Sequence, residues 1–487
     1  MASEADIRFG TDGWRGVIAR DFTFAGVARV GTAIARYLED ELRGELAPYR
    51  QWGVGLRPGS AGILVGYDTR FLSSAFAEHL AKAAAQAGVP AQVTSGPVPT
   101  PALSWAVVQH RLAAGVMITA SHNPFYYNGV KVKPEYGGSA TEEITRMIER
   151  RLPPSPPGLE GAIPEQMDIR DDYLAGLRDR VDLRAVGGAP VYVVVDPMYG
   201  SARGYVATLL RGARVPYVAI RSSVDPLFGG KKPEPLLENL APLKAVIRSL
   251  PARARRRIVV GLVTDGDGDR AAAMDERGEF LDTHRTAALI LWHLIRHRQL
   301  TGKVLKSFAL TDMVRKLAEG AGLTCEEIKI GFKWAVGGLV RQEAAFAGEE
   351  SGGYGFRFHL PERDGILSGL LLLELVAHTG KSLATLVREL FRAVGPHHYD
   401  RVDLQLAERH EVVDRLAQRP PDEMAGRAVV ALETLDGVKL RFRDGWLLLR
   451  ASGTEPILRL YCEMASPEAV RQVLEDAERM VKGGLTL

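Results

Sequence analysis

Ala113-Ala114-Gly115-Val116-Met117-Ile118 leads directly into Thr119-Ala120-Ser121-His122-Asn123-Pro124, and the rest of the chain can be ordered around this junction. The first part is apolar, as in a strand buried on both faces, and the second is polar, turn-prone and closed by a proline. Ser121 is therefore expected on a loop at the end of a strand, a place that commonly carries chemistry. Taken alone, Ser-His-Asn-Pro also fits an ordinary turn, because these residues favour turns for conformational reasons.

The segments around this junction alternate between strand-like and helix-like patterns. Apolar residues at helical spacing predict a helix over 24–42, and Gly62-Ile-Leu-Val-Gly-Tyr-Asp68 predicts a strand. The alternation restarts after a proline-rich linker at 152–161 and again near Asp282, which predicts three α/β units with largely parallel sheets. A smaller unit from about Tyr399 mixes strands and helices and is predicted to be α+β. The predicted domains are 1–160, 161–275, 276–397 and 398–487.

The composition is that of an ordinary globular protein with little net charge. Lys and Arg total 62 against 59 Asp and Glu, a net charge of +3 over 487 residues, which gives no general footprint for nucleic acid or a membrane surface. The cysteines, Cys325 and Cys462, are too few and too far apart for a disulfide framework or a thiolate zinc site, which suits a reducing compartment. The acidic start lacks the apolar segment of a signal peptide, and no apolar run reaches about 18 residues. We therefore expect a soluble cytoplasmic protein.

Asp265, Asp267 and Asp269 alternate with glycines directly after a strand-like run. Three carboxylates this close repel one another unless a cation lies among them, and the glycines let their oxygens converge. Three protein oxygens leave an octahedral Mg²⁺ short of ligands, so a fourth, anionic ligand is expected, and a phosphorylated Ser121 would supply it. The alternatives are a plain acidic turn and an EF-hand, which is disfavoured because Arg270 stands where that loop requires glycine.

Two further polar loops are candidates for ligand binding. Arg450-Ala-Ser452-Gly453-Thr454, with Arg459 nearby, offers guanidinium groups, hydroxyls and backbone N–H groups, which suit a phosphate dianion. Glu349-Glu350-Ser351 stands among glycines, where carboxylates could accept hydrogen bonds from sugar hydroxyls. The alternatives are a turn between strands for the first loop and a solvated loop for the second.

One histidine pattern is more typical of a helix surface than of a metal site. His293 and His297 are four positions apart on a predicted helix. They lack an H-E-x-x-H motif and a third ligand in the sequence, so we interpret them as a pair on the helix surface.

In their order along the chain, these loops resemble those of the α-D-phosphohexomutase family, the phosphoglucomutases and phosphomannomutases. The resembling segments are 119–124 for the phosphoserine loop, 265–270 for the metal loop, 348–352 for the sugar loop and 450–454 for the phosphate loop. Phe9-Gly-Thr-Asp-Gly-Trp-Arg15-Gly16 is similar to the N-terminal signature of the family, and Tyr127-Asn-Gly-Val-Lys131 to the segment that follows the phosphoserine. The resemblance covers nearly the whole chain and is closer to the phosphoglucomutases.

The resemblance implies a four-domain, heart-shaped α/β protein. Three similar α/β domains with mixed, mostly parallel sheets and a C-terminal α+β domain would surround a central cleft, and each would supply one of the four loops. Ser121, carried as phosphoserine, would donate its phosphoryl group to a hexose monophosphate. The bisphosphate formed, glucose 1,6-bisphosphate for a glucose substrate, would return its other phosphoryl group to Ser121 and would also serve as activator.

The resemblance also implies roles for individual residues. The expected catalytic residues are Ser121, His122, Lys131, Arg15 and Arg270, with His122 and Lys131 as candidates for proton transfer. The expected Mg²⁺ ligands are Ser121, Asp265, Asp267 and Asp269. The expected substrate-binding residues are Lys333, Glu349, Ser351, Arg450, Ser452, Gly453, Thr454 and Arg459.

Details of the sugar loop favour glucose phosphate as substrate. Family members that use both mannose and glucose phosphates often carry a histidine where this chain has Gly353, and the Glu-Gln-Ser of glucosamine mutases is absent. The segments 331–334 and 362–365 also look more like the phosphoglucomutase branch. The alternatives are a phosphomannomutase or dual-specificity enzyme, a phosphatase, and a non-catalytic sugar-phosphate-binding protein. Neither nucleic acid nor a membrane is an expected partner, and either a monomer or a homodimer is expected.

Overall fold

In the computed structural model, which describes residues 7–10, 12–42, 52, 62–161, 164–453 and 455–483, each of the four loops joins two neighbouring strands of one sheet. The loops are rich in polar residues and glycine, whereas the strands that hold them are largely apolar and buried. The sheets therefore fix the positions from which the loops present their side chains.

The first sheet carries the Ser121 loop. The elements of this part are β1 (Trp14–Val17), α1 (Phe24–Leu42), β2 (Ile63–Tyr67), α2 (Ser73–Gln86), β3 (Ala91–Thr94), α3 (Thr100–Gln109), β4 (Ala114–Ile118), β5 (Tyr127–Pro134), α4 (Glu142–Glu149) and β6 (Gln166–Met167). The strand order is β1-β5-β4-β2-β3-β6, with β2, β3, β4 and β6 parallel and β5 antiparallel to β4. The predicted helix over 24–42 is present as α1.

The second and third sheets repeat this plan. The elements of the second part are α5 (Arg170–Arg178), α6 (Leu183–Gly188), β7 (Val191–Asp196), α7 (Tyr205–Gly212), β8 (Tyr217–Ala219), α8 (Ala241–Ser249), α9 (Ala252–Arg255), β9 (Ile258–Thr264), β10 (Ala271–Met274) and β11 (Phe280–Leu281). Those of the third are α10 (Thr283–Arg298), β12 (Lys303–Ser307), α11 (Asp312–Gly320), β13 (Cys325–Ile328), α12 (Lys333–Val340), β14 (Ala344–Gly348), β15 (Tyr354–Phe356), α13 (Gly365–Thr379) and α14 (Leu383–Val394). Parallel strands β7, β8 and β9 are followed by antiparallel β10, and parallel β12, β13 and β14 by antiparallel β15. The metal loop joins β9 to β10 and the sugar loop joins β14 to β15, as the Ser121 loop joins β4 to β5.

The C-terminal part is built differently. Its elements are β16 (His398–Gln405), α15 (Arg409–Gln418), β17 (Glu423–Met424), β18 (Arg427–Ala428), β19 (Ala431–Glu433), β20 (Val438–Phe442), β21 (Gly445–Ala451), β22 (Ile457–Met464) and α16 (Pro467–Lys482). The sheet β16-β22-β21-β20-β19 is antiparallel throughout, and the phosphate loop joins β21 to β22. The predicted architecture of three similar α/β domains and one α+β domain is confirmed, while the domain boundaries remain predictions.

Helix α13 packs against helix α10 and against strands β9 and β10 of the second sheet. Its residues are apolar from Ile366 to Val376 apart from Ser368, Gly369 and Glu374, and this stretch is buried in a core shared with α10 and with strands of the second sheet. Asp364 caps the helix by accepting a hydrogen bond from the backbone N–H of Leu367 at 2.8 Å. Among the described helices, none alone is long and apolar enough to cross a membrane, and only α13 taken with α14, which are bent by 85°, passes that test of length and composition.

An ionic interface joins the third and fourth domains. The carboxylate of Glu327 contacts Lys306 at 2.5 Å within its own domain, and Lys439 at 3.1 Å and Arg441 at 3.2 Å in the fourth. Burial alone would raise the pKa of Glu327, but Lys306 and Lys439 outweigh it and lower that pKa to about 2. The interface is therefore charged at neutral pH and fixes the sheet that carries the phosphate loop.

Candidate active site

Ser121 is held in a strained conformation at the end of β4. Its φ of 52° lies in the left-handed region, which is uncommon for a residue with a side chain and concentrates at functional positions. The hydroxyl of Thr119 accepts a hydrogen bond from the N–H of Ser121 at 2.9 Å. The Oγ of Ser121 donates to Oδ2 of Asp265 at 2.9 Å. The phosphoserine candidate and the metal loop of the next domain are therefore in direct contact.

A buried ion pair supports the Ser121 loop from behind. Asp68 and Arg70, at the end of β2, are 3.0 Å apart and fully enclosed. Arg70 donates to the backbone carbonyls of Ser121 at 2.5 Å and of Asn123 at 2.8 Å, and Asp68 accepts from the hydroxyl of Thr119 at 2.6 Å. These bonds satisfy loop carbonyls that would otherwise be buried without partners, and so fix the loop.

The acidic triad fits a divalent cation. Asp265, Asp267 and Asp269 are buried, and each has a carboxylate oxygen within 4.8 Å of the others. The Oδ1 atoms of Asp267 and Asp269 are buried without a hydrogen-bond partner, so they are available as ligands. Gly266 has no space for a side chain, because a Cβ there would lie 2.6 Å from the carbonyl oxygen of Ser121. With Ser121, the triad offers the hard oxygen donors that Mg²⁺ prefers, and it leaves positions for water or phosphate oxygens.

Lys131 lies among three carboxylates. Its Nζ is 2.8 Å from Asp267, 2.9 Å from Asp269 and 2.9 Å from Asp12. Burial lowers the pKa of Lys131, but the three carboxylates outweigh it and raise that pKa above its ordinary value. Lys131 is thus a protonated counter-ion for the acidic loop.

His122 is placed to accept a proton. Burial, followed by the cations Arg270 and Arg15, holds the pKa of His122 well below its ordinary value, so the imidazole is neutral at pH 7. Its Nδ1 lies 3.4 Å from the Oγ of Ser121, and its Nε2 lies 3.9 Å from Glu234. Of the two candidates for proton transfer, His122 therefore has the better geometry and protonation state.

Arg15 and Arg270 flank the Ser121 loop. Arg15 donates to the side-chain oxygen of Asn123 at 2.7 Å. The guanidinium of Arg270 lies 3.7 Å from Glu234, and its backbone N–H donates to Asp265 at 3.2 Å. Both cations lower the pKa of His122, which neighbours Ser121. Their positive charge therefore lies where a phosphoryl group on Ser121 would develop negative charge.

The sugar loop approaches the same centre through Arg363. Glu349 is buried, and its carboxylate lies 3.2 Å from Arg363. Burial, with the neighbouring carboxylate of Glu350, raises the pKa of Glu349 to about 7 in spite of Arg363. Ser351 is half-buried in the same loop. Near neutral pH, Glu349 can therefore accept a hydrogen bond from a sugar hydroxyl as the carboxylate, or donate one as the carboxylic acid.

The phosphate loop has its cations on the fourth sheet. Arg450 lies 3.1 Å from Asp436, Ser452 accepts from the N–H of Glu455 at 3.2 Å, and Arg459 lies 3.4 Å from Glu455. A Cβ at Gly453 would meet nothing within 4 Å, so its backbone faces open space. Thr454 lies outside the described residues. Burial lowers the pKa of Arg450, but nearby carboxylates raise it above its ordinary value. The largest of these effects comes from Asp436, and Glu350 of the sugar loop contributes, so the charges of the two loops interact.

Lys333 contacts the first domain. It begins α12, and its Nζ is 3.8 Å from Glu142 of the first domain and 5.6 Å from the ring centre of Trp334. The structure thus places Lys333 at the boundary of the first and third domains rather than beside Ser121 or the acidic triad.

Comparisons with known proteins decide the family. Models described as phosphoglucomutase/phosphomannomutase match four parts of the chain: alpha/beta/alpha domain I at 6–154, domain II at 171–278, domain III at 282–394 and the C-terminal domain at 409–480. The chain belongs to the phosphoglucomutase/phosphomannomutase family. As a member, it is a phosphohexomutase enzyme.

The relatives of this phosphohexomutase carry different substrate names. A phosphoglucomutase/phosphomannomutase of Thermococcus kodakarensis is 29% identical, with 98% of this chain and 99% of the relative covered. A probable phosphoglucosamine mutase of Methanothermobacter thermautotrophicus is 31% identical, with 96% of each chain covered. A solved structure described as a phosphomannomutase, from Thermus thermophilus, is 38% identical, with a TM-score of 0.85, and 99% of this chain and 100% of that one are covered.

Sequence reasoning missed several residues of the phosphohexomutase site. Arg363 contacts Asp12 at 2.5 Å, Asp269 at 2.7 Å and Glu349, and so joins three domains. Thr100 donates to Asp267 at 2.6 Å. Asp12 lies in the segment 9–16 and Arg363 in the segment 362–365, and charged residues near a glycine in these segments were the available signal.

The acidic triad leads to a prediction about Mg²⁺. Removing Mg²⁺ with EDTA should stop turnover, and added Mg²⁺ should restore it. Asp265→Asn should raise the Mg²⁺ concentration for half-maximal activity at least about 10-fold, because an amide oxygen replaces an anionic ligand. The matched control is Asp275→Asn, since Asp275 lies at the other end of β10 and accepts hydrogen bonds from the backbone N–H groups of Arg277 and Glu279. Turnover that is insensitive to EDTA, or equal effects of the two variants, would contradict the assignment.

Proposed function

We propose that this phosphohexomutase interconverts glucose 1-phosphate and glucose 6-phosphate through a phosphorylated Ser121 and glucose 1,6-bisphosphate. The observation that carries the proposal is the contact of Ser121 Oγ with Asp265 at 2.9 Å, inside a group of cations. A serine placed in this way is suited to carry a phosphoryl group. Phosphoryl transfer needs positioning and charge stabilisation more than covalent chemistry from the protein.

Each group has a role in this reaction. Mg²⁺, held by Asp265, Asp267, Asp269 and the phosphate of Ser121, would polarise the phosphoryl group when bound. Arg15 and Arg270 stabilise charge on the phosphoryl oxygens. His122 takes the proton from the attacking sugar hydroxyl and gives it to the leaving Oγ of Ser121, which lies 3.4 Å from its Nδ1, and the second transfer moves a proton from Ser121 to the sugar oxygen.

The remaining loops hold the sugar phosphate. Glu349 and Ser351 bind the sugar hydroxyls, and Arg363 orients Glu349. Arg450, Ser452, Gly453, Thr454 and Arg459 bind the phosphate that does not react, with Lys333 as a further cation. The bisphosphate has to reorient in the site between the two phosphoryl transfers. The phosphate loop can bind either of its two phosphates in the same position.

A phosphatase and a non-catalytic sugar-phosphate-binding protein are less well supported. A phosphatase would release inorganic phosphate, whereas the mutase needs a cleft that keeps water from the phosphoserine. A binding protein would have no use for the Ser121 hydroxyl or for three aligned carboxylates, and all four groups are present.

The preference for glucose rests on Gly353. A Cβ at Gly353 would overlap the Cδ of Arg363 and approach the carboxylate of Glu349 to 3.3 Å. Arg363 is anchored by Asp12 and Asp269, so it cannot move aside at low cost. Arg363 thus occupies the space that a histidine in dual-specificity members would need. Glucosamine phosphate is the second candidate, because some relatives are called phosphoglucosamine mutases.

A comparison of substrates tests the proposal. With Mg²⁺ and a trace of hexose bisphosphate, kcat/KM for glucose 1-phosphate should exceed that for mannose 1-phosphate and glucosamine 1-phosphate by at least about 10-fold. The quantity to measure is the rate of the 6-phosphate product, with inorganic phosphate followed in parallel. A higher kcat/KM for either competing sugar would overturn the glucose assignment, and stoichiometric phosphate release would overturn the mutase.

Gly353→His should lower kcat/KM for glucose 1-phosphate by about 100-fold, because the side chain displaces Arg363 and with it Glu349. Gly212→His is the matched control, since Gly212 is exposed at the end of α7 and a Cβ there meets nothing within 4 Å. The substrate assay above measures both variants. If Gly353→His retained full activity on glucose 1-phosphate, Arg363 would not set the shape of this loop.

A further inference from the structure

Arginine side chains from three neighbouring strands lie on one face of the fourth sheet. Residues directly opposite each other on paired strands point to the same face, and so do alternate residues along one strand. Arg459 of β22 lies opposite Arg450 of β21 on one side and opposite Asp403 of β16 on the other. Arg401 is two positions from Asp403 on β16, so its side chain belongs to this face as well. The face therefore adds a third arginine to the two that are expected to bind phosphate.

A shared carboxylate joins Arg401 to Arg459. Oδ1 of Asp403 is 3.1 Å from Nε of Arg401, and Oδ2 of Asp403 is 3.8 Å from Nε of Arg459. A single carboxylate thus separates the two guanidinium groups. Both side chains are partly exposed, Arg401 at 38% and Arg459 at 27%, so an anion from solvent can reach them and accept hydrogen bonds from both.

Arg401 faces the second domain across the space between the loops. Burial lowers the pKa of Arg401, but nearby acidic groups, chiefly Asp403, raise it above its ordinary value. Glu234 of the second domain is one of these groups, and its carboxylate also lies 3.9 Å from Nε2 of His122. The guanidinium of Arg401 is therefore within electrostatic reach of the reacting centre.

Tyr461, which lies directly opposite Arg401 on β22, places this arginine near the sugar loop as well. Burial raises the pKa of Tyr461, and Glu350 of the sugar loop raises it further. Arg459, Arg450 and Arg401 all lower it. One side chain thus experiences the charges of the sugar loop and of all three arginines, so Arg401 belongs to the region where the sugar and phosphate loops meet.

The carboxylate of a second charged cluster, between α10 and α13, is by contrast fully engaged by the protein. Both oxygens of Glu374 accept from Arg298, at 2.7 Å and 2.5 Å, and one also accepts from the N–H of Asp182 at 2.9 Å. Nε2 of His293 is 3.0 Å from the same carboxylate. The interpretation of His293 and His297 as a helix-surface pair is wrong for His293, which is buried there. This cluster is a structural network, whereas the arginines of the fourth sheet are accessible to a ligand.

We propose that Arg401 is a further substrate-binding residue, whose guanidinium donates hydrogen bonds to the same phosphate group that Arg459 binds. The inference rests on the proposed function, because it requires a substrate phosphate at the phosphate loop. A phosphate dianion has enough acceptor oxygens for two guanidinium groups, and the planar guanidinium matches it in a bidentate manner. Asp403 lowers the repulsion between the two cations and so keeps both in place before the substrate binds.

Calorimetric titration of the full chain with glucose 6-phosphate in the presence of Mg²⁺ tests the proposal. Arg401→Met should raise the Kd at least about 10-fold, because charged hydrogen bonds to the phosphate are lost. Arg401→Lys should give an intermediate Kd, since lysine keeps the charge but not the bidentate geometry. Arg427→Met is the matched control, because Arg427 is a partly exposed arginine of the same domain that lies 3.5 Å from one aspartate, Asp444. The Kd of this control should stay within about 2-fold of the wild type.

The 6-phosphates of mannose and glucosamine separate this inference from the choice of sugar. Arg401→Met should weaken the binding of all three sugar phosphates by the same factor, because Arg401 contacts the phosphate group. A wild type that prefers mannose or glucosamine phosphate would overturn the glucose assignment alone. Equal affinities of the wild type and Arg401→Met for all three sugar phosphates would overturn the role of Arg401.

A double-mutant cycle with Arg459→Met distinguishes binding by Arg401 itself from an effect transmitted through Arg459. If Arg401 binds the phosphate directly, Arg401→Met should weaken binding at least about 3-fold further in the Arg459→Met background. The absence of any further loss in that background would show that Arg401 only positions Arg459, and the proposal would be overturned. The Tm of Arg401→Met should stay close to that of the wild type, because the replaced side chain is partly exposed.

Discussion

Replacing Ser121 by alanine should lower mutase turnover at least about 10⁴-fold, because the group that carries the phosphoryl between substrate and product is gone. The neighbouring support is independent of the hydroxyl, since Arg70 binds the backbone carbonyl of Ser121 and Thr119 binds its N–H. The loop should therefore keep its position. Glucose 1-phosphate should still bind through the sugar and phosphate loops, within about 10-fold of its wild-type affinity.

A coupled assay measures the turnover, intact mass measures the phosphorylation, and calorimetry measures the affinity for glucose 1-phosphate. The wild type should gain the mass of one phosphoryl group when incubated with glucose 1,6-bisphosphate, and Ser121→Ala should not. Ser201→Ala is the matched control, because Ser201 is also buried and its hydroxyl donates to the backbone of Gly266 in the metal loop at 3.3 Å. Full turnover by Ser121→Ala, or phosphorylation that persists in it, would end the proposal of a phosphoserine intermediate.

Replacing Arg363 by methionine should destabilise the protein by about 3–5 kcal/mol, because buried Glu349 loses its cation and Asp12 and Asp269 are left to share Lys131. Asp12, Asp269 and Glu349 all lie within 3.2 Å of this guanidinium. Turnover should fall as well, since the three carboxylates come from three different domains and their repulsion would open the site. Denaturant unfolding monitored by fluorescence measures the stability, and the substrate assay measures the activity.

Arg357→Met provides the comparison for this variant. Arg357 lies in the same domain but is only half-buried, and its guanidinium donates to the backbone carbonyls of Gln342 and Thr301 at 3.1 Å and 2.7 Å. Its replacement should cost no more than about 1 kcal/mol. In Asp12→Asn/Arg363→Met part of the lost stability should return, because one of the two carboxylates that share Lys131 is removed as well. Equal stabilities of Arg363→Met and Arg357→Met would show that the buried network contributes little.

The sequence predicts the loops well because each loop carries its chemistry in consecutive residues. Asp265, Asp267 and Asp269 alternate with glycine, and Ser121 follows an apolar strand, so both patterns are local. The repeated strand and helix patterns similarly predict the α/β architecture. These features depend on short-range spacing and on burial of apolar residues, which a single sequence displays.

Contacts between domains could not be predicted in this way. Asp12 and Arg363 are 351 positions apart, and only the packing of the first domain against the third brings them together. Lys131 shows the same limit, since its role follows from three carboxylates that come from two other segments of the chain. Pairing at long range depends on packing, which local patterns do not encode.

The common plan of the three α/β sheets has a consequence for how such a protein can change during evolution. In each sheet, the loop that carries chemistry spans two strands already paired by their own hydrogen bonds, as β4 is with β5, β9 with β10 and β14 with β15. The frame does not need the loop residues for its stability, so substitutions in a loop can be tried without refolding the domain. Selection could therefore exchange sugar preference at the third loop while the phosphoryl carrier at the first stayed intact. Independent change of the sugar loop would produce a set of relatives named for glucose, mannose and glucosamine phosphates.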